Sequence, residues 1–382
     1  MKNIKIVSII ENLNLTQGGP SQGVLNLAQT NINNNITHEI VNLRNKNTNI
    51  NSKVKIINLD QSYFKYGISI KLILWLLKNK KNYDLFIMHG IWQFQNLCAR
   101  IIIPGKYIVL THGMLDPYFE TEKIKSIKKK LYWFFFEKKN LLNSKYVLAN
   151  SAIEYKQYKE TYVNTSGIKF KKINYGILPH KINIKNSIKI FNKKFKFLRG
   201  KRIILYLGRL HKKKGCELLI KAYSKLKNIN NYILLIAGEN NNDYFLKLKK
   251  YVDENNLKNK VFFSGFVLGD LKWGAILRSD CTILTSYGEN FGVSIIESLF
   301  CGKPVICSQK VGISEIIKNY NAGLIVKNNI ISIQKQIKNF IEMSKKNKKK
   351  LSKNSIKCFN EKFNLKNIND FSNLINATIK KN

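Results

Sequence analysis

Arginine is scarce in this chain of 382 residues. Only six of its 66 basic side chains are Arg (Arg44, Arg100, Arg199, Arg202, Arg209 and Arg278), against 23 acids and a net charge of +43. Sites that grip nucleic acid lean on the bidentate Arg fork, so the excess of Lys argues against a nucleic-acid partner. Its spread through loops and helix faces fits a solvated surface or an anionic membrane surface. Proline is also sparse, with five residues. The six cysteines (Cys98, Cys216, Cys281, Cys301, Cys307 and Cys358) form no CxxC pair, which suits reduced thiols in a cytoplasmic protein. No apolar run approaches the roughly 20 residues of a spanning helix. The opening MKNIKIVSIIE stops at Glu11 without a small-residue cleavage site and reads as a first strand. There is no DxD pair, HExxH, GxSxG, Walker A or GxGxxG. A metal clamp is therefore not expected.

What is present is an alternation of short apolar runs with amphipathic segments. Ile4–Ile10, Leu85–Met88, Tyr107–Leu110 and Tyr146–Ala149 read as buried parallel strands, and Gly23–Thr30, Ile68–Leu77 and Lys123–Leu142 as helices. The pattern restarts with strands at Arg202–Leu207, Tyr232–Ala237, Val261–Gly265, Cys281–Thr285 and Pro304–Cys307. Helices are expected between them at Glu217–Lys227, Tyr244–Asn255, Gly292–Cys301 and Ile313–Asn319. Two βαβ arrays imply an α/β chain with two Rossmann-like, doubly wound parallel sheets. The expected domains are 1–185 and 200–360, joined through the Lys-rich stretch His180–Gly200. A tail helix from about 364 to 382, with Phe371, Leu374 and Ile375 on one face, is expected to cross back onto the first domain.

Ligands of open α/β sheets bind beyond the carboxyl ends of the strands. Gln17-Gly18-Gly19-Pro20 lies there, after the first strand, and is either a plain turn or a close backbone approach to a phosphate. Gly208-Arg209-Leu210, followed by Lys214-Gly215, would offer two cations to a diphosphate. In Ser286-Tyr287-Gly288-Glu289-Asn290-Phe291-Gly292-Val293-Ser294-Ile295-Ile296-Glu297, two carboxylates stand eight residues apart across a loop-to-helix junction. Glu297, an odd acid in an apolar helix, leans back towards the ligand end and, with Glu289, suits sugar and ribose hydroxyls. The amides of Phe291, Gly292 and Val293, beside Asn290, would face phosphates. His89-Gly90 and Thr111-His112-Gly113-Met114-Leu115-Asp116-Pro117 end two strands of the first array. Each histidine is either a hydrogen-bonded structural residue or a cleft group. Asn174-Tyr175-Gly176-Ile177 closes that array.

Taken in order, GRL…KG, Leu234–Gly238 (LLIAG), Phe263–Val267 (FSGFV), ENFG…E and CGKPVI resemble the retaining glycosyltransferase family 4. The first array matches more loosely, through QGGP, THGMLDP and NYGI. The resemblance implies the GT-B fold, two domains facing a cleft, with the first taking the acceptor and the second the donor. It implies that Arg209 and Lys214 grip the donor diphosphate, Glu297 the ribose and Glu289 the transferred sugar. It places His112 near the reacting centre, as a catalytic group with Glu289, and Gly18-Gly19 beside the phosphates. His89 is a candidate cleft or acceptor contact. Two departures are Thr285-Ser286-Tyr287-Gly288, where a proline-rich lead-in is usual, and Asn174-Tyr175-Gly176, where Asn-Gly is usual.

The implied activity moves a hexose from a nucleotide-diphosphate sugar to a saccharide or polyprenyl-linked acceptor, with retention and without a metal or other cofactor. Cell-surface polysaccharide or lipopolysaccharide assembly is the setting such segments suggest. The expected place is cytoplasmic, peripheral on the inner face of the plasma membrane if Lys123–Lys139 (KIKSIKKKLYWFFFEKK) docks on anionic lipid; a buried helix edge explains its aromatics equally well. A GT-B phosphorylase or epimerase, and a basic nucleic-acid binder, are the alternatives.

Overall fold

The structure, a computed structural model, describes residues 3–14, 19–44, 53–59, 62–64, 66–116, 123–161, 163–227, 229 and 231–380, with backbone alone for 123–126. The chain divides into two compact units, Met1–Leu178 with Leu365–Asn382, and Pro179–Asn364.

The first unit is built on seven parallel strands: β1 (Lys5–Ile10), β2 (Thr37–Asn42), β3 (Ile56–Asn58), β4 (Leu85–His89), β5 (Tyr107–Leu110), β6 (Val147–Ala149) and β7 (Phe170–Lys172). Their order is β3-β2-β1-β4-β5-β6-β7. The winding direction reverses between β1 and β4. That leaves a crevice at their carboxyl ends, because the helices that follow them leave on opposite sides. The apolar runs of β1, β4 and β5 are buried on both faces, as a helix-covered sheet requires.

Strand β2 was not legible as a strand. Four of the six residues of its sequence THEIVN are polar, yet five of the six are buried. Tertiary partners satisfy them. The Tyr83 hydroxyl donates to Glu39 Oε2 at 2.5 Å, and Asn42 accepts from the Leu13 amide and donates to Asn58.

The second unit repeats the design with β8 (Arg202–Leu207), β9 (Tyr232–Ala237), β10 (Val261–Gly265), β11 (Cys281–Leu284), β12 (Val305–Ser308) and β13 (Gly323–Val326). Their order is β10-β9-β8-β11-β12-β13, all parallel, with the reversal between β8 and β11.

One boundary needs correction. The stretch His180–Gly200, expected to link the domains, holds a helix, Ile184–Lys194, capped by the Asn183 side chain. Its Phe191, followed by Phe195 and Leu198, joins the core of the second unit. The helix lies so close to Gly269–Arg278 that a Cβ at Gly274 would meet the Ser187 carbonyl oxygen at 2.2 Å. Lysines on its outer face hid the apolar spacing. The C-terminal helix Asp370–Lys380 belongs to the first unit. There Phe371, Leu374 and Ile375 are buried, and the Asn34 amide donates to Ser372 Oγ at 2.8 Å.

The basic aromatic segment is a helix, Lys123–Tyr132, running through a π-helical turn, Trp133–Glu137, into Lys138–Leu142. The turn rotates Trp133 and Glu137 inward and leaves Phe134 72% and Phe135 55% exposed. Among the described residues no helix is long and apolar enough to cross a membrane.

Candidate functional site

In the second unit, the loop after β8 enters a single 3-10 turn, Lys212–Lys214, and then the helix Cys216–Ser224. Gly215 makes the junction with φ 68°, and a Cβ there would sit 2.2 Å from the Thr285 carbonyl oxygen. This contact ties the loop to the one after β11. Thr285 Oγ1 donates to the Gly215 carbonyl at 2.9 Å, and the Tyr287 amide donates to the Lys213 carbonyl at 2.8 Å. Asn328 donates to the carbonyls of Thr285 and Ser286. Gly215→Ala is therefore expected to cost about 2–4 kcal/mol in urea unfolding, as strain at a positive φ adds to a backbone clash.

The stitched loops set Lys214 Nζ against Glu289 Oε2 as an ion pair. Glu289 is itself fixed by its backbone, through its amide on the Lys310 carbonyl and its carbonyl on the Gly312 amide. Gly292, with φ 71°, starts the helix Val293–Phe300. Asn290 and Val293 are half-buried and Phe291 is buried. Glu297 is 7% exposed and pairs with Lys272 Nζ at 2.6 Å. Lys272 also stands 4.4 Å from the centre of the Trp273 ring. Arg209 is exposed at the carboxyl end of β8.

So the structure holds Lys214 and Glu289 together between the loops after β8 and β11, with Arg209 at the end of β8, and a second pair, Lys272 and Glu297, between two helices of the same unit. Each carboxylate named from sequence carries a lysine partner, and Lys272 was missed. Nothing local marks it, since it precedes Glu297 by 25 residues on a different helix.

In the first unit, the corresponding place holds histidines. His112 follows β5 in the left-handed region, φ 51°. Its turn is clamped by Glu154, a buried carboxylate that accepts from Thr111 Oγ1 at 2.5 Å and from the Gly113 amide at 2.7 Å. Glu154 also escaped the sequence reading, because it faces inward from an otherwise polar helix, Ala152–Glu160. His89 ends β4 and is 2% exposed, with Nδ1 3.0 Å from His112 Nε2 and Nε2 2.9 Å from Ser8 Oγ. Direct acceptor contact by His89 is thereby corrected: both ring nitrogens are spent within the protein, and its place is behind His112.

Burial holds both rings uncharged. It pushes His112 down to about 4, and His89 well below its ordinary value, where the neighbouring rings of His112 and His38 add to the effect. Gly19 opens the helix Gly19–Asn33 after β1; Gly18 lies outside the described residues. Among the described residues no group of three His, Cys, Asp or Glu side chains is placed to hold a metal.

Residues 187–357 match the family described as glycosyl transferases group 1. An uncharacterized glycosyltransferase of Methanocaldococcus jannaschii is 34% identical over 167 residues, 42% of each chain. The N-acetylgalactosamine-N,N'-diacetylbacillosaminyl-diphospho-undecaprenol 4-alpha-N-acetylgalactosaminyltransferase of Campylobacter jejuni is 32% identical over 197 residues, 49% of this chain and 52% of that one. The chain thus spans about half the length of these curated relatives.

Among solved structures, sucrose-phosphate synthase from Thermosynechococcus elongatus superposes with a TM-score of 0.79 at 18% identity, covering 99% of this chain and 100% of that one. Anabaena HepE in complex with UDP and glucose gives 0.78 at 18%, with the same coverage. These likenesses establish the fold, GT-B.

Proposed function

We propose, for a GT-B chain whose residues 187–357 match the glycosyl transferases group 1 family, that it transfers a hexose from a nucleotide-diphosphate sugar to a saccharide or lipid-linked acceptor. The observation that supports this reading is that the loops after β8 and β11 are stitched together, with Lys214 paired to Glu289, Arg209 exposed at the end of β8 and Glu297 buried in the helix that follows. A nucleotide-sugar has a doubly charged diphosphate flanked by two polyols, and this set answers both. Arg209 and Lys214 bind the diphosphate, helped by the first amides of the helix Val293–Phe300. Glu297 accepts from the ribose hydroxyls and Glu289 from those of the sugar.

As the anomeric bond breaks, positive charge grows on the sugar and negative charge on the departing phosphate. The carboxylate of Glu289 stabilises the first and the cations the second. In the retaining course proposed here the acceptor attacks from the face the phosphate leaves. Its hydroxyl proton passes to the released phosphate oxygen, so no separate base is required. In this reading His112 hydrogen-bonds to the sugar, and Gly19, at the start of its helix, addresses the phosphates. The ion pairs mean that both carboxylates are already matched by lysines before the donor arrives. Binding must exchange Lys214–Glu289 and Lys272–Glu297 for contacts with the ligand, or share them with it.

The test is a thermal-shift panel of UDP-glucose, UDP-N-acetylglucosamine, GDP-mannose and their diphosphates, because a ligand that binds the native state raises Tm. Arg209→Ala is expected to weaken the selected diphosphate by about 1.5–3 kcal/mol, the worth of a charged hydrogen bond, with little change in stability. Unaltered affinity would remove Arg209 from the site. Turnover is expected to survive EDTA and to rise well above slow donor hydrolysis when an acceptor alcohol is supplied. Formation of a sugar phosphate or an epimerised sugar in place of such transfer would favour a phosphorylase or epimerase.

The acceptor side includes a proposed cytoplasmic membrane contact. Ile127, Leu131, Phe134, Phe135 and Phe136 are exposed beside Lys128 and Lys130, and this combination docks on anionic lipid. Lys129 is engaged over the Trp92 ring at 5.5 Å, so it is not counted. The protein is expected to sediment with phosphatidylglycerol vesicles at low salt. Lys128→Gln with Lys130→Gln should weaken this by about 1 kcal/mol per lysine, and high salt should abolish it. Protein left in the supernatant at low salt would end the idea.

A further inference from the structure

Beneath His112 runs a continuous line of buried polar side chains that the chemistry above does not use. Ser8, in the middle of β1, lies between the strands that carry His38 and His89, β2 and β4. Its Oγ is 2.9 Å from His38 Nε2 and 2.9 Å from His89 Nε2. Beyond His38, its Nδ1 meets Asn31 Nδ2 at 2.9 Å, and Asn31 Oδ1 accepts from Ser372 Oγ at 2.9 Å. Ser372 belongs to the C-terminal helix, and its oxygen accepts in turn from Asn34 Nδ2 at 2.8 Å. Ser8, Asn31, His38 and His89 are all essentially without solvent exposure.

A neutral imidazole has one donor and one acceptor, and a hydroxyl one proton. Each link therefore dictates the next. Ser372 receives from Asn34 and so gives its proton to Asn31 Oδ1. That turns the Asn31 amide towards His38, whose Nδ1 must accept and whose Nε2 must carry the proton. His38 donates to Ser8, Ser8 donates to His89 Nε2, and His89 Nδ1–H donates to His112 Nε2. The lone pair of His112 Nε2 is then occupied, and its proton is on Nδ1.

We propose that the chain Ser372–Asn31–His38–Ser8–His89 sets the tautomer of His112 and presents it to the sugar as an Nδ1–H donor rather than a base. The proposal rests on the reading that His112 addresses the donor sugar. Asn31, His38, Ser8 and His89 are positioning residues. A histidine held as a donor suits a transfer in which the acceptor's proton goes to the leaving phosphate, because it removes a competing base.

The direction is reversible by one substitution. In Asn31→Asp the carboxylate only accepts, so His38 must carry its proton on Nδ1 and every subsequent link inverts, ending with Nε2–H on His112. The full chain labelled with 15N-histidine is read by long-range 1H–15N correlation, with resonances assigned by single substitutions. The wild type is expected to show protons on His38 Nε2, His89 Nδ1 and His112 Nδ1, and Asn31→Asp to show the opposite nitrogen of all three. Hydrolysis of UDP-glucose, UDP-N-acetylglucosamine and GDP-mannose should fall about ten-fold in kcat with KM nearly unchanged, as expected for a change felt at the reacting centre.

A wild-type His112 protonated on Nε2, or a His112 unmoved in Asn31→Asp, overturns the proposal. Inverted tautomers with unchanged turnover would uphold the chain and remove His112 from the sugar. Should Asn31→Asp fail to fold, Ser8→Ala decides. It is nearly isosteric and should leave His38 as it is while His89 and His112 lose their single tautomers; retention of both would again overturn the chain.

Discussion

Glu289→Gln is expected to lower kcat by about 10²–10³-fold, the range seen when a charge aimed at a transition state is removed from a preorganised site. Affinity for the nucleoside diphosphate should move the other way. In the free protein Glu289 holds Lys214 as an ion pair. The amide cannot hold it as well, so Lys214 is released to the phosphates. Diphosphate binding should tighten by up to about 1 kcal/mol, the worth of a partly exposed pair. Lys214→Met, in contrast, should weaken diphosphate binding, because it removes the cation itself. Steady-state kinetics beside calorimetric titration of the diphosphate separates the two effects. A Gln variant that turns over normally would take Glu289 out of the chemistry, and one that binds diphosphate much more weakly would mean that it serves the phosphates.

Acid should open the first unit near pH 5 while leaving the second folded. Burial sets His38 at about 3, His112 at about 4 and His89 well below the ordinary value near 6.5. The folded pKa is depressed in each case, so below pH 6.5 the unfolded chain binds protons that the fold refuses. Stability present at neutral pH is lost as pH falls. Three such groups give at most about 4 kcal/mol per pH unit, and two units would consume the stability of an ordinary domain.

Glu137 works in the opposite sense. Its carboxyl, buried against Asn96 and Asn140, is pushed up to about 7. It penalises the fold increasingly from pH 4.5 to 7, and its relief on acidification offsets part of the loss. The two histidines of the second unit, His180 and His211, are exposed rather than buried. Near-ultraviolet circular dichroism against pH should show two steps, and His38→Gln should flatten the first. A single cooperative step below pH 4 would show that the rings titrate without opening the sheet.

The arithmetic of apolar runs was enough for β1, β4, β5 and most of the second sheet, because a strand covered on both faces must be apolar throughout. Motif spacing pointed to Arg209, Lys214, Glu289 and Glu297, which the structure places in the loops after β8 and β11 and in the helix after the second of them. It was not enough for β2 or the helix Ile184–Lys194, nor for Lys272, Glu154 or the line from Ser372 to His112.

Apart from that helix, whose outward lysines hid its apolar spacing, these share one physical cause. A polar side chain inside a protein is stable only when its partner is there to meet it, and the partners here lie from 7 to 341 residues away in the chain. His38, Glu39 and Asn42 look like surface residues until β1, β3 and Tyr83 close around them. Apolar burial is additive and can be read one residue at a time. Polar burial is a property of pairs, and which pairs form was decided by the tertiary structure.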